Sequence, residues 1–241
     1  MKQTEFELNQ LKEEINGMWK LVLSQLEKTK EAYLTENADL AFEVISREKR
    51  VNAFDSKIDS DSENYIALYA PVAVDLRLIL SLIKISATLE RIGDFAEGIA
   101  RRVIDEEYGK IDKKLIEDLQ IENMFDVVIS MLYDSYAALN SENTKIAGKI
   151  LATDDQVDKI YHASIPIIAE YIKANPEHAI NALKTLIVMR KLERVGDHCS
   201  NIVEEIVFYI DETVLQHKKL KHTIKRNNLV FLIHIYIKAN M

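Results

Sequence analysis

Apolar residues recur at every third or fourth position along most of this chain. Near the amino terminus they form one stripe at helical spacing, made of Leu8, Leu11, Ile15, Met18, Val22 and Leu26. A stripe of this kind is typical of an amphipathic helix that buries one face, and it predicts a first helix from Phe6 to about Leu34. No convincing alternation with a period of two appears before residue 228. We therefore expect an all-α protein.

Capping residues and chain breakers divide the rest of the sequence into further helices. Asn37 is a suitable cap for a second helix that runs to about Leu68. Pro71 suits the first turn of a third helix, for which Gly109 is a plausible end. The same plan recurs in the second half, with predicted helices at about 117–139, 142–173 and 176–210.

The pentapeptide Glu90-Arg91-Ile92-Gly93-Asp94 returns as Glu193-Arg194-Val195-Gly196-Asp197, 103 residues later. Upstream of it, other residues match at an offset of 106, so the duplication extends through each half. We predict two tandem, pseudo-symmetric three-helix bundles with six long helices. The predicted domains are residues 1–110, residues 111–212, and a carboxy-terminal tail of unknown role at residues 213–241.

Composition supports long helices and a cytoplasmic location. The chain has only six glycines and three prolines, so few residues interrupt a helix. Its single cysteine, Cys199, cannot form an intramolecular disulfide and suits a reducing compartment. The amino terminus is charged and polar, so a secretory signal is not expected.

The charge distribution disfavours nucleic acid as a partner. The formal net charge is −8, but six basic residues and no acid lie between His217 and the end. The remaining 25 basic and 39 acidic residues give the first 216 positions a charge of about −14. A region with this negative charge is better suited to binding metal cations or basic protein surfaces than the phosphate backbone of a nucleic acid.

Each pentapeptide places two carboxylates at i and i+4, on one face of a helix. The preceding helix contains a second pair, Asp154 with Asp158 in one half and Glu48 with Asn52 in the other. If the two helices are antiparallel neighbours, these pairs can face each other and assemble four oxygen-bearing side chains. Such sites suit hard cations such as Mg²⁺, Ca²⁺ or Mn²⁺, and iron is also possible.

These features make the chain resemble the PhoU family of phosphate transport regulators. The pentapeptides match its duplicated acidic motif, and Pro71-Val72-Ala73-Val74-Asp75-Leu76-Arg77 looks like its segment at the third helix. The resemblance implies two three-helix bundles, no catalytic activity, and multinuclear iron or zinc bound at the acidic motifs. It further implies a homodimer, and cytoplasmic action at the membrane between a phosphate ABC transporter and a sensor histidine kinase.

The second half matches the family's site better than the first. Its candidate metal ligands are Asp154, Asp158, Glu193 and Asp197, whereas the first half retains Glu48, Glu90 and Asp94. Asn52 replaces an acid there, and Gly98 stands where the second copy has the weaker candidate Asn201. We therefore predict tighter metal binding at the second bundle, with Mg²⁺ or Mn²⁺ as alternatives to iron or zinc.

Two other functions fit parts of the pattern. A carboxylate-bridged metal enzyme of the helical-bundle type usually has a Glu-x-x-His motif, which does not accompany the duplicated acids here. A metal-free helical adaptor is the second alternative. The tail combines basic and apolar segments that are too short to span a bilayer, so it is a candidate for a membrane-surface or oligomer contact.

Overall fold

The computed structural model describes residues 3–105 and 112–211, which form seven α-helices and contain no β-strand. The helices are α1 (Gln3–Thr35), α2 (Ala38–Tyr69), α3 (Ala73–Val103), α4 (Lys113–Asp118), α5 (Ile121–Asn140), α6 (Ala147–Ala174) and α7 (Ala179–Ile210). The prediction of an all-α fold with six long helices is confirmed, and the short α4 is an addition to it. Gly109 and the tail at residues 213–241 lie outside the described residues.

The connection between α1 and α2 follows the predicted capping. Oδ1 of Asn37 accepts a hydrogen bond from the backbone N–H of Leu40 at 3.1 Å, and Asn37 is extended at φ −88°. A side-chain cap of this kind satisfies an amide at the helix start that has no partner within the helix. The sequence therefore identifies the start of α2 correctly.

Several helix starts differ from the prediction. Helix α6 begins at Ala147 rather than at residue 142, and α7 begins at Ala179 rather than at residue 176. Pro71 lies before α3 rather than within it, because the chain reverses through Ala70 and Ala73, both in the left-handed region at φ 43° and 51°. The helix predicted from residue 117 is two helices, since Gln120 has a φ of 53° and separates α4 from α5. Periodicity did not show this break because the buried Leu115 and Leu119 continue the apolar stripe up to it.

The two bundles share one hydrophobic core. Helices α1, α2 and α3 pack together, as do α5, α6 and α7, while α1 also contacts α5 and α3 contacts α7. The fully buried Trp19 crosses this interface, donating from Nε1 to the carbonyl of Leu132 at 3.3 Å and lying 5.5 Å from the Tyr136 ring. Neither bundle therefore completes its apolar burial alone.

Helices α3 and α7 run antiparallel across the interface. Ser81, early in α3, donates to the carbonyl of Glu205 late in α7, whereas Arg102 at the end of α3 contacts Asn181 at the start of α7. Between them, Phe95 and His198 face each other with ring centroids 5.6 Å apart. These two residues are equivalent under the 103-residue offset, so they lie near the approximate twofold axis of the duplication.

The outer helices α2 and α6 place the acidic pairs at the surface. Helix α2 packs against α3, and α6 packs against α7, on the sides away from the inter-bundle interface. Each acidic site thus lies between an outer and an inner helix of one bundle. None of the helices in the described part of the chain is both long enough and apolar enough to cross a membrane.

Candidate metal centre

A mid-helix glycine lets α6 approach α7 closely. A β-carbon added at Gly196 would lie 2.8 Å from Oδ1 of Asp154 and 3.4 Å from Cγ1 of Val157. Glycine in a helix interior is destabilising by about 1 kcal/mol relative to alanine. Its presence here is explained by the carboxylate and the valine that occupy its side-chain space.

Three carboxylates of the second bundle come together beside this contact. Asp158 from α6 and Glu193 and Asp197 from α7 each offer one oxygen, and these atoms all lie within 4.8 Å of one another. Glu193 is the most enclosed, with 8% of its surface exposed. The structure thus brings together three of the four predicted ligands of this half.

Asp154, the fourth predicted ligand, lies beside this group and is held by Ser200. The Ser200 hydroxyl donates to Oδ2 of Asp154 at 2.8 Å, while Oδ1 is buried and accepts no hydrogen bond. The pKa of Asp154 is raised to about 6. Burial is the largest cause, the hydrogen bond from Ser200 opposes it, and the negative charges of Asp197 and Asp158 add to the rise. A buried carboxylate oxygen without a donor is the arrangement that a cation would stabilise.

Burial and mutual repulsion act on the other acids as well. Burial raises the pKa of both Glu193 and Asp158, and the nearby Asp197 adds to the rise in each. Two arginines offset part of this negative charge, since Arg190 pairs with Oε1 of Glu193 and Arg194 lies 3.7 Å from Asp197. Oε2 of Glu193 is nevertheless buried without a partner. The donor set is all oxygen, as a hard cation requires.

In the first bundle α2 also approaches α3 closely at a glycine, but there is more space around Gly93 than around Gly196. A β-carbon at Gly93 would lie 3.3 Å from Cγ1 of Val51 and 3.5 Å from Oε2 of Glu48. Both carboxylate oxygens of Glu48 are buried and accept no hydrogen bond from a described residue. Burial raises the pKa of Glu48 to about 7, and Asp94 is the next largest cause of the rise.

The first bundle contains two acids that the sequence analysis missed. Glu97 is among the charges that raise the pKa of Glu48, and it also pairs with Arg101 at 2.6 Å. Asp55 accepts from Ser86 at 2.6 Å and raises the pKa of Glu90. Glu97 lies seven residues after Glu90, so helical periodicity could have identified it. Its presence partly restores the negative charge lost at Asn52.

The two weaker candidates, Asn52 and Asn201, are both exposed. Three acids bring one oxygen each within 4.8 Å of one another in the group described above. Among the described residues such a group forms only in the second bundle. Gly98, equivalent to Asn201, lies beneath the side chain of Lys191, whose flexible end would have to move if a β-carbon were present.

The fold and the acidic site define a class of protein: a duplicated three-helix bundle with acidic side chains where each outer helix meets an inner one, and with a cluster of three carboxylates in the second bundle. The PhoU domain model matches this chain twice, at residues 15–103 and 121–206. The chain belongs to the PhoU family.

Named relatives span most of the chain. A phosphate-specific transport system accessory protein PhoU homolog from Aquifex aeolicus is 33% identical over 215 residues, which cover 89% of this chain and 96% of that protein. The phosphate-specific transport system accessory protein PhoU from Escherichia coli is 31% identical over 88% of this chain and 86% of its own.

Solved structures show the same fold. The crystal structure of PhoU from Pseudomonas aeruginosa matches with a TM-score of 0.82 at 28% identity, covering 88% of this chain and all of that one. The phosphate transport system regulatory protein PhoU from Streptococcus pneumoniae matches with a TM-score of 0.77 at 26% identity, covering 88% of this chain and 99% of that one. The family is one of accessory and regulatory proteins, not of enzymes, in agreement with the prediction of no catalytic activity.

Proposed function

We propose that this chain is a non-enzymatic regulator of phosphate uptake and phosphate-starvation signalling. It couples a phosphate ABC transporter to a sensor histidine kinase and keeps the starvation response off when phosphate is plentiful. Family membership supports this proposal, because the relatives are accessory proteins of phosphate-specific transport systems and one neighbour is a regulatory protein. The regulator acts in the cytoplasm as a homodimer and reaches the membrane through its partners.

The acidic cluster of the second bundle is the proposed metal centre. Asp158, Glu193 and Asp197 are the ligands, with Asp154 beside them, and iron or zinc is the metal, with Mg²⁺ or Mn²⁺ as alternatives. The observation that carries this assignment is three carboxylate oxygens within 4.8 Å of one another, next to buried oxygens that accept no hydrogen bond. A bound cation would offset the repulsion among these carboxylates and stiffen the contact between α6 and α7.

A signalling assay combined with metal analysis tests both parts of the proposal. The gene is replaced in its host by the wild type or by the variants Glu193→Gln and Asp197→Asn. A phosphate-starvation reporter is measured in high phosphate, and the metal content of each purified protein is determined by emission spectrometry. We expect the wild type to carry metal and repress the reporter, and both variants to lose metal and repression together.

The outcomes separate a metal-dependent regulator from the metal-free adaptor. Glu204→Gln removes a carboxylate from the same helix without touching the cluster, and it should retain both metal and repression. Repression that persists in metal-free variants would support the adaptor instead. A wild-type protein that represses nothing and captures neither the transporter nor the kinase would contradict the regulatory function itself.

A further inference from the structure

Arg102, in the last turn of α3, is a buried cation that has no carboxylate partner among residues 3–105 and 112–211. Only 7% of its surface is exposed, and the hydrogen bond that its side chain forms with a described residue goes to Oδ1 of Asn181. Its Nε is buried and has no hydrogen-bond partner. The phenol of the neighbouring Tyr33 cannot supply the negative charge, because burial raises the pKa of Tyr33 to about 12. A buried charge without its counterion is strongly unfavourable.

The groove beside Arg102 contains a second cation, Lys191, that has no ion-pair partner among the described residues. It has a volume of about 200 Å³ and lies between the end of α3 and the start of α7. Lys191 extends along it over Gly98, where any side chain would collide with the ammonium group. Within the described residues Lys191 forms no ion pair, whereas Lys184 pairs with Asp105 and Arg101 pairs with Glu97. Two positive charges of this groove therefore have no counterion within the part of the chain that the structure describes.

The duplication provides an internal comparison. Under the 103-residue offset, Arg101 and Arg102 are equivalent to Glu204 and Glu205, and Lys191 is equivalent to Thr88. At the corresponding place near the other end of the interface, Glu205 already has a cationic partner in Lys84, at 3.1 Å. The excess of positive charge near Arg102 is thus particular to one end of the interface. It also contrasts with the net negative charge of the chain as a whole.

We propose that this groove binds a small oxyanion carrying a phosphoryl group, held by Arg102 and Lys191. The planar guanidinium group forms directional hydrogen bonds with phosphate oxygens, and the lysine ammonium adds a point charge. Gly98 leaves space for Lys191 to lie close to α3, near the buried Arg102. This site is separate from the proposed metal centre and does not depend on it.

Titration calorimetry of the full-length chain tests the proposal. The protein is treated with EDTA to remove metal and titrated with inorganic phosphate at constant ionic strength. We expect one saturable site per chain and competition from sulfate. Lys191→Ala should weaken the affinity about tenfold or more, as expected for loss of a charge-assisted hydrogen bond. Arg102→Gln should abolish binding, with circular dichroism used to check that the variant folds.

Two controls make the result specific. Lys84→Ala removes the same charge from the opposite end of the interface and should bind phosphate as the wild type does. Asp197→Asn should also bind it normally, so a failure of the metal proposal leaves this test intact. Binding of phosphate that is unchanged in Lys191→Ala would overturn the assignment.

A lipid headgroup is the other source of a phosphoryl group. Vesicles of phosphatidylglycerol are therefore compared with vesicles of phosphatidylcholine, using the same variants. Binding to the anionic vesicles alone, with the same dependence on Lys191, would place the phosphoryl group on a lipid rather than on free phosphate. If neither phosphate nor anionic vesicles bind, the proposal is wrong.

Discussion

Gly196 and Asp154 lie so close that a β-carbon on the glycine would be 2.8 Å from Oδ1 of the aspartate. Asp154 has little freedom to move away, because its side chain is short and its other oxygen accepts from Ser200. The equivalent Gly93 leaves more space, with its nearest neighbour at 3.3 Å and with the longer Glu48 opposite. Two copies of one motif therefore differ in how strictly they require glycine.

This difference predicts opposite effects of the same substitution. Alanine in a helix interior is favoured over glycine by about 1 kcal/mol, whereas overpacking costs about 1–3 kcal/mol. Gly196→Ala should therefore lower the free energy of unfolding by up to about 2 kcal/mol. Gly93→Ala should leave it unchanged or raise it slightly. Urea unfolding followed by circular dichroism measures both, and equal effects at the two positions would contradict this account.

The raised pKa of Glu48 predicts that the metal-free protein loses stability as the pH rises. Its folded-state pKa is about 7 against an ordinary value of 4.5, so the folded protein binds more protons between these values. The contribution of protonated Glu48 to the free energy of unfolding is therefore complete below about pH 4.5 and is lost as the pH rises to about 7. Asp154, with a pKa of about 6, adds to the same decline. Thermal melts in EDTA between about pH 5 and pH 8 measure it.

Glu48→Gln is the matched control for this pH dependence. The neutral amide imitates the protonated acid, so the variant should be more stable than the wild type at about pH 8 and similar to it at about pH 5. Asp154→Asn should remove a further part of the slope, while Glu193 and Asp158, whose pKa values are also raised, should keep the rest. A wild-type slope that persists in the double variant would show that other groups cause it.

Neutralising one cluster acid should have opposite effects with and without metal. In EDTA, Asp197→Asn relieves like-charge repulsion and should raise the free energy of unfolding by about 0.2–0.5 kcal/mol per pair relieved. With metal present, the wild type should gain stability by ligand linkage and the variant should gain less. Melting temperatures measured across a metal titration should show the variant above the wild type in EDTA and below it at high metal concentration.

Asp94→Asn, the same change in the first bundle, tests the ranking of the two sites. We expect it to reduce the metal-dependent gain less than Asp197→Asn does, because the first bundle lacks a group of three close carboxylates among the described residues. An equal or larger reduction in Asp94→Asn would reverse the ranking.

Most of the architecture could be predicted from the sequence because helical periodicity and the repeated pentapeptide are both local signals. The Asn37 cap is local as well, and it was identified correctly. The break at Gln120 and the turn around Pro71 were missed, because a left-handed backbone at a non-glycine residue leaves no mark in apolar spacing. The boundaries between the three predicted domains stay predictions.

The site was predicted less completely because it depends on contacts across helices. The pairing of the acids on α6 and α7 followed from the repeat. In contrast, the support of Asp154 by Ser200 and the fit of Lys191 over Gly98 join residues that no short motif connects. Glu97 lies seven residues after Glu90 on the same helix, so helical periodicity alone could have identified it.

The shared core predicts that the two bundles unfold together. Trp19, the only tryptophan, is fully buried where α1 meets α5, so its fluorescence reports on the interface, whereas circular dichroism reports on every helix. We expect the two signals to give coincident urea transitions, as one cooperative unit requires. Trp19→Phe loses apolar area and the hydrogen bond to Leu132, and it should lower the free energy of unfolding by about 1–3 kcal/mol in that single transition. Fluorescence that changes at a lower urea concentration than circular dichroism would instead show that the bundles separate before they unfold.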